Sequence, residues 1–327
     1  MSTRPAIFGV ERKPSPRALR HASCRMHDPL RRRPPERTLR WVTDALGPGS
    51  RITALRRFTE GGWHANHALT VVDRRGGARR LVLRRWARPE WVVEDPDFTA
   101  HREVTVLGLL ADTSVPAPRL VAADPDGVVC DVPTLLITRL PGRPPGLPRD
   151  MDAFLVGLAQ ALPAIHAVSD RARGSIPAYR RYRDLRSTGP PPWSRSPRLW
   201  ERALELVVAE PPPGPCGFIH RDYHPENTLW SRGRLTGVVD WTSGSWGPLA
   251  VDAAHMRWNL ALTYGLDAAE EFLRLHRSLR SEDSDDQHYW DLVTVLDLVF
   301  DLDLDDWPGF DLQRLERYVA SVLAEVG

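Results

Sequence analysis

Between positions 51 and 138 apolar residues come in short runs separated by turn signals, the pattern of strands in an antiparallel sheet. Strands are predicted over 51–58, 68–72 and 81–86. The last two flank Asp73-Arg74-Arg75-Gly76-Gly77, a hairpin turn, and a glycine-bearing turn covers 59–66. Two further strands, 120–123 and 134–138, are joined by Asp124-Pro125-Asp126-Gly127. Helical spacing is predicted over 38–46, closed by Gly47-Pro48-Gly49. It recurs over 98–111, with Val104, Leu107, Leu110 and Ala111 on one face and Val115-Pro116-Ala117-Pro118 as the stop.

After the breaker-rich Leu140-Pro141-Gly142-Arg143-Pro144-Pro145-Gly146 the period becomes helical. Helices are predicted over 152–168, 196–210, 250–263, 268–280, 288–300 and 312–326, with Pro163 placed to kink the first. Residues 1–37 are rich in Arg and Pro and read as a disordered tail, within which Met26 offers an alternative start. The expected organisation is α+β: this tail, a small N-terminal lobe over 38–139, and a larger mainly helical lobe over 140–327.

Composition adds three constraints. A chain of 327 residues, 42% hydrophobic and 26% charged, has the make-up of an ordinary globular protein. No apolar run approaches the roughly 20 residues of a membrane span, and no secretory leader pattern is present. Cys24, Cys130 and Cys216 are few and unpatterned, which favours a cytoplasmic setting over a disulfide frame. The basic tail is short and has no interleaved aromatics, so nucleic acid is not an expected partner. Lys13 is the only lysine, so any task that usually needs one falls to arginine.

Chemistry concentrates where two short apolar runs, Phe218-Ile219 and Val238-Val239, deliver His220, Asp222, His224, Asn227 and Asp240. Two assignments stay open at this point. His220, Asp222 and His224 could ligate the metal of a hydrolase. Alternatively one Asp orients a hydroxyl while Asn227 and Asp240 hold magnesium, a hard cation that prefers oxygen. The first leaves Asn227 without a task, whereas the second employs it.

The pattern His220-x-Asp222-x-x-x-x-Asn227, then Val238-Val239-Asp240-Trp241 and Trp246-Gly247-Pro248-Leu249-Ala250-Val251-Asp252, closely resembles the aminoglycoside phosphotransferase family. The resemblance runs from about Arg51 to the C-terminus. It implies a two-lobed protein-kinase-like fold and transfer of the γ-phosphoryl group of ATP or GTP, with Mg2+, to a small-molecule hydroxyl. It implies Asp222 as catalytic base, Asn227 and Asp240 as magnesium ligands, and His220 and Asp252 as structural support of the loop. In the N-terminal lobe it implies Arg84 as phosphate clamp paired with Glu103, Val82 against adenine, and 138–140, including Thr138 and Leu140, as the hinge. Gly61 and Gly62 fall where a phosphate loop is expected. Arginine at the clamp position, and a loop unlike Gly-x-Gly-x-x-Gly, depart from the kinase pattern. A catalytically inactive nucleotide binder is the other outcome this resemblance allows. No obligate protein partner is implied.

One further feature bears on the acceptor. Glu282, Asp283, Asp285, Asp286, Asp291, Asp297, Asp301, Asp303, Asp305 and Asp306 follow one another with no Lys or Arg from Ser281 until Arg314. Lining a cleft, they would attract a cationic hydroxylated compound such as an aminoglycoside. As helix-start and turn acids they would simply face water.

Overall fold

The computed structural model describes residues 29–58, 64–88, 98–168, 172–280, 286–300 and 310–326. The chain forms two compact units. Among the described residues, one contains 29–141 together with Gly237–Ser243; the other contains Gly142–Thr236 and 244–326.

The first unit is built on β1 (Arg51–Arg57), β2 (Ala65–Val72), β3 (Ala78–Arg85), β4 (Leu120–Asp124) and β5 (Thr134–Thr138). They form one antiparallel sheet in the order β1-β2-β3-β5-β4. The β2–β3 hairpin closes as expected. Asp73 Oδ1 accepts the backbone N–H of Arg75 (2.8 Å) and Gly77 (2.9 Å), and Gly76 supplies a φ of +85° that side-chain-bearing residues resist. β2 begins earlier than expected, because Ala65, Asn66 and His67 pair with Arg85, Arg84 and Leu83 rather than extending the turn.

Period-2 geometry puts Leu81 and Leu83 on one face of β3, with Val82 and Arg84 on the other. The first face packs with Leu69, Val71, Leu136 and Val42 into a core, Val42 coming from α1 (Glu36–Ala45). α2 (Ala100–Leu110) starts at an N-cap, where Thr99 Oγ1 accepts the N–H of Arg102. Its buried face holds Glu103, Val106, Leu107 and Leu110, whereas Val104 is half-buried and Ala111 exposed. The expected face was therefore set about one residue off. The carboxylate of Glu103 finds a cation inside the unit and turns that side of the helix inward.

Order starts ahead of position 38. Pro29–Arg31 makes a 3-10 turn whose Leu30 is buried beside Ala65 and Ala87. Residues 1–28, including Met26, lie outside the described residues.

The second unit holds α3 (Met151–His166), α4 (Pro197–Val208), α5 (Ala250–Tyr264), α6 (Leu266–Ser278), α7 (Gln287–Val299) and α8 (Leu312–Val326). Two small ribbons accompany them: β6 (Cys216–Ile219) with β9 (Ser245–Pro248), and β7 (Thr228–Ser231) with β8 (Arg234–Val238). Every α5 residue from Ala250 to Leu262 is buried, so it is the central helix of this unit. Pro163 sits inside α3, as expected. Among the described residues no helix is long and apolar enough to cross a membrane.

Candidate active site

In the helical unit, β6 ends at Ile219 and delivers His220, Arg221 and Asp222 into a tight loop. Arg221 adopts φ +67°, a left-handed conformation that costs a residue with a Cβ of order 1–3 kcal/mol. The loop is held there by Asp252, fully buried in the first turn of α5. Its Oδ1 accepts the N–H of Arg221 (2.7 Å) and its Oδ2 that of His220 (3.0 Å). His166 Nε2 approaches the same Oδ2 at 3.0 Å. The Arg221 guanidinium lies over the rings of Tyr182 (4.1 Å) and Tyr179 (5.4 Å) and donates to the Arg180 carbonyl (2.8 Å). Below the loop Tyr223, buried, donates to the Leu158 carbonyl.

These supports fix Asp222 and Asn227 together. A 3-10 turn over Pro225–Asn227 brings the Asn227 amide back, and its Nδ2 donates to the Asp222 carbonyl (2.9 Å) and to Oδ2 (3.0 Å). With Nδ2 so used, the atom of Asn227 suited to a hard cation is its amide oxygen. The sequence-expected group of His220, Asp222, Asn227 and Asp252 is thus assembled in one place. His220 accepts the Asp222 N–H on Nδ1 (3.3 Å), which is a scaffolding contact.

In the sheet unit, Arg84 is buried and meets three partners. Nε donates to Glu103 Oε2 (2.7 Å); Nη2 donates to Thr242 Oγ1 (2.9 Å) and to Asp240 Oδ1. Burial alone would lower the affinity of Arg84 for its proton, but the carboxylates of Asp240 and Glu103 outweigh it and hold the guanidinium firmly charged. Burial pushes the Glu103 carboxyl up, against the pull of Arg84. Asp240 has φ +65°, and its segment is anchored by Trp241 Nε1 to the Val238 carbonyl (2.9 Å) and by Arg102 Nη2 to the Ser243 carbonyl (2.8 Å). Arg84, Glu103 and Asp240, separated by up to 156 residues, therefore converge. Val82 shares their face of β3. Arg85 points the other way, to Asp131.

Thr138 ends β5, exchanges backbone and hydroxyl hydrogen bonds with Arg119, and is followed by a half-buried Leu140. Gly61 and Gly62 lie outside the described residues.

Four contributors escaped sequence reasoning. Thr242 and Arg102 act through partners more than 130 residues away. His64 stacks on Phe98 at 5.0 Å and meets Trp86 edge-on at 4.5 Å; burial, then the charge of Arg84, keeps its ring neutral. His255 on α5 brings Nε2 to 3.2 Å from Asp222 Oδ1. Its position three residues after Asp252, on the same side of a helix, is a signal that could have been used.

Of the acidic run, three residues are described, and these three match neither expectation. Glu282, Asp283, Asp285, Asp301, Asp303, Asp305 and Asp306 lie outside the described residues. Asp286, Asp291 and Asp297 are buried, so these three neither face water nor line an open cleft. Asp291 pairs with the buried Arg257 of α5 and accepts from Gln287 (2.9 Å), because a carboxylate inside a helical core needs a cation. Asp297 accepts the N–H of Tyr182 (3.2 Å), and burial lifts its pKa from 3.8 to about 6. Because the folded value exceeds the unfolded one, the cost of holding Asp297 ionised is complete above pH 6 and fades as pH falls toward 3.8. The cost is about 3 kcal/mol. Asp297→Asn accordingly raises the Tm at pH 8 and leaves it unchanged near pH 4. Thermal denaturation at the two pH values checks this.

The described residues contain no group of three or more His, Cys, Asp or Glu arranged to hold a metal ion, so His220, Asp222 and His224 are not grouped as metal ligands.

A model of the phosphotransferase enzyme family matches residues 55–285. Among solved structures, a thermostable mutant of aminoglycoside phosphotransferase APH(4)-Ia, in ternary complex with AMP-PNP and hygromycin B, is 19% identical. The alignment covers 88% of this chain and 98% of that one, with a TM-score of 0.62. Macrolide 2'-phosphotransferase MphH from Brachybacterium faecium is 18% identical, over 82% and 92% of the two chains, with a TM-score of 0.53. An aminoglycoside-3'-phosphotransferase of type VIII is 22% identical, over 78% and 96%, with a TM-score of 0.50. No curated protein matches the sequence. At these identities the likeness concerns the fold. The α+β, protein-kinase-like architecture expected from the sequence is the one observed, with α1 and α2 the two helices expected over 38–46 and 98–111.

Proposed function

The chain belongs to the phosphotransferase enzyme family, and from that footing we propose that it is a cytoplasmic small-molecule kinase using ATP or GTP as donor. The family acts on hydroxyl groups, and the observation that carries the finer assignment is the Asp222–Asn227 pair. The carboxylate of the proposed base is bonded by the amide of a proposed magnesium ligand, in a loop whose backbone is pinned by Asp252. Asp222 orients the acceptor hydroxyl and takes its proton as the phosphoryl group arrives. Asn227 and Asp240 would hold Mg2+ through oxygen atoms. Magnesium, when bound, neutralises negative charge on the nucleotide phosphates. Arg84, kept charged by its carboxylates and steered by Glu103, clamps phosphate, with Val82, Gly61, Gly62, Thr138 and Leu140 completing the nucleotide site. Residues 38–139 bind nucleotide, and residues 140–327 carry the base and the acceptor site.

The acceptor is a hydroxylated small molecule. Aminoglycosides and macrolides come first for trial, because solved relatives bear those names. A screen for ATP and GTP consumption across such compounds, amino alcohols and sugars tests the proposal. Turnover that requires both a hydroxylated acceptor and magnesium is the expected result. Asp240→Ala is expected to weaken nucleotide binding in the presence of magnesium at least 10-fold, by loss of a charged ligand worth more than about 1.4 kcal/mol. Calorimetric titration checks it, and unchanged affinity contradicts the role given to Asp240.

A further inference from the structure

Asp222 is approached from two sides. Asn227 bonds Oδ2 from within the loop. On the other side His255, buried in α5, places Nε2 3.2 Å from Oδ1. His255 cannot turn away easily. Its ring lies 5.6 Å from that of His224, tilted by 34°, and 6.0 Å from that of Trp258, edge-on. Its helix is also the one whose first turn holds the loop backbone through Asp252, so one rigid element sets both the loop and the imidazole.

The contact is close in distance but off the line of the ring N–H, and Nε2 has no aligned hydrogen-bond partner in this state. A buried polar nitrogen left so is costly unless its partner comes into line. Catalytic hydrogen bonds are commonly loose before the substrate is in place and tighten when it binds.

We propose that His255 is a positioning residue for the base, its neutral imidazole donating from Nε2 to Oδ1 of Asp222 while Asn227 donates to Oδ2. The neutral state has a physical cause. Burial first, then the charges of His224, His220 and Arg221, hold the His255 pKa well below 6.5. A neutral imidazole has one N–H, and the nitrogen facing the carboxylate must carry it. With both oxygens held, the carboxylate plane is fixed, which sets the orientation it presents to the acceptor hydroxyl. His224 does not duplicate this role, because its Nε2 stays 3.8 Å from the same oxygen.

The inference rests on Asp222 being the base, so its test has an arm that does not depend on turnover. In the full-length protein labelled with 15N-histidine, the imidazole of His255, assigned by its loss in His255→Phe, is expected as the Nε2–H tautomer. In steady-state kinetics His255→Phe is expected to lower kcat about 10- to 100-fold, the effect of one hydrogen bond to a charged group. The nucleotide KM should stay within about 2-fold, because the interaction orients the base rather than the donor. His255→Gln, which returns an N–H near the position of Nε2, is expected to recover most of that loss. A ring protonated on Nδ1, or on both nitrogens, overturns the proposal. So does an undiminished kcat in His255→Phe, or an equal loss in both variants, which would mark packing alone. If the wild type transfers phosphate to no acceptor, it is the assignment of function that fails, and the tautomer still decides whether His255 serves Asp222.

Discussion

Asp222→Ala lowers kcat for phosphoryl transfer by about 100- to 10,000-fold, the usual contribution of a positioned base. Nucleotide affinity should change little, because the residue is given no contact with the donor. The fold should survive as well. The Asp222 side chain is a quarter exposed, and the backbone bonds that hold the loop come from Asp252, which the substitution leaves in place. Steady-state kinetics with a thermal melt alongside separates the two effects. Asp222→Asn is the sharper variant, since it keeps the shape and removes the basic oxygen. Equal activity in either variant contradicts the assignment of the base.

The second large effect is at Arg84. Arg84→Met leaves Glu103 buried opposite an apolar chain and removes one partner of Asp240. Breaking a buried ion pair in this way costs about 3–5 kcal/mol. Glu103 is then expected to be protonated at neutral pH, since burial already pushes its carboxyl up and Arg84 is the main force pulling it down. Nucleotide binding should fall with stability. Arg84→Lys separates the contributions. It keeps the charge but cannot reach Glu103 from one nitrogen while donating to Asp240 and Thr242 from another, so most of the stability returns and nucleotide affinity recovers in part. Chemical denaturation and nucleotide titration of the two variants read these outcomes. A stable Arg84→Met with full nucleotide affinity contradicts the clamp.

What was legible in advance follows the range of the physical signal. Local period and punctuation place β5 and α8 at the residues observed, and set most other ends within a few positions. The six-residue span from Asp222 to Asn227 is local too, so the loop could be found from spacing. Pairings between distant residues were harder. Glu103 was placed opposite Arg84 only through the family resemblance, and the inward face of α2 was misjudged because a carboxylate is not counted as apolar. Asp291 looked like an exposed acid for the same reason. Its cation, Arg257, lies 34 residues earlier on another helix, and only the folded chain joins them. β9 escaped notice because four residues carrying a glycine and a proline make a weak strand on their own; its pairing with β6 creates it. His255 sits in a run whose burial on all sides hides any functional face.

The most direct measurement of the central claim is the fate of the γ-phosphoryl group. With wild-type protein, magnesium, ATP or GTP and an acceptor identified by the screen, 31P NMR should show a new phosphomonoester resonance growing in step with nucleoside diphosphate. Asp222→Asn should show almost none. Inorganic phosphate as the sole product, or the same phosphomonoester formed at the same rate by Asp222→Asn, would contradict the account.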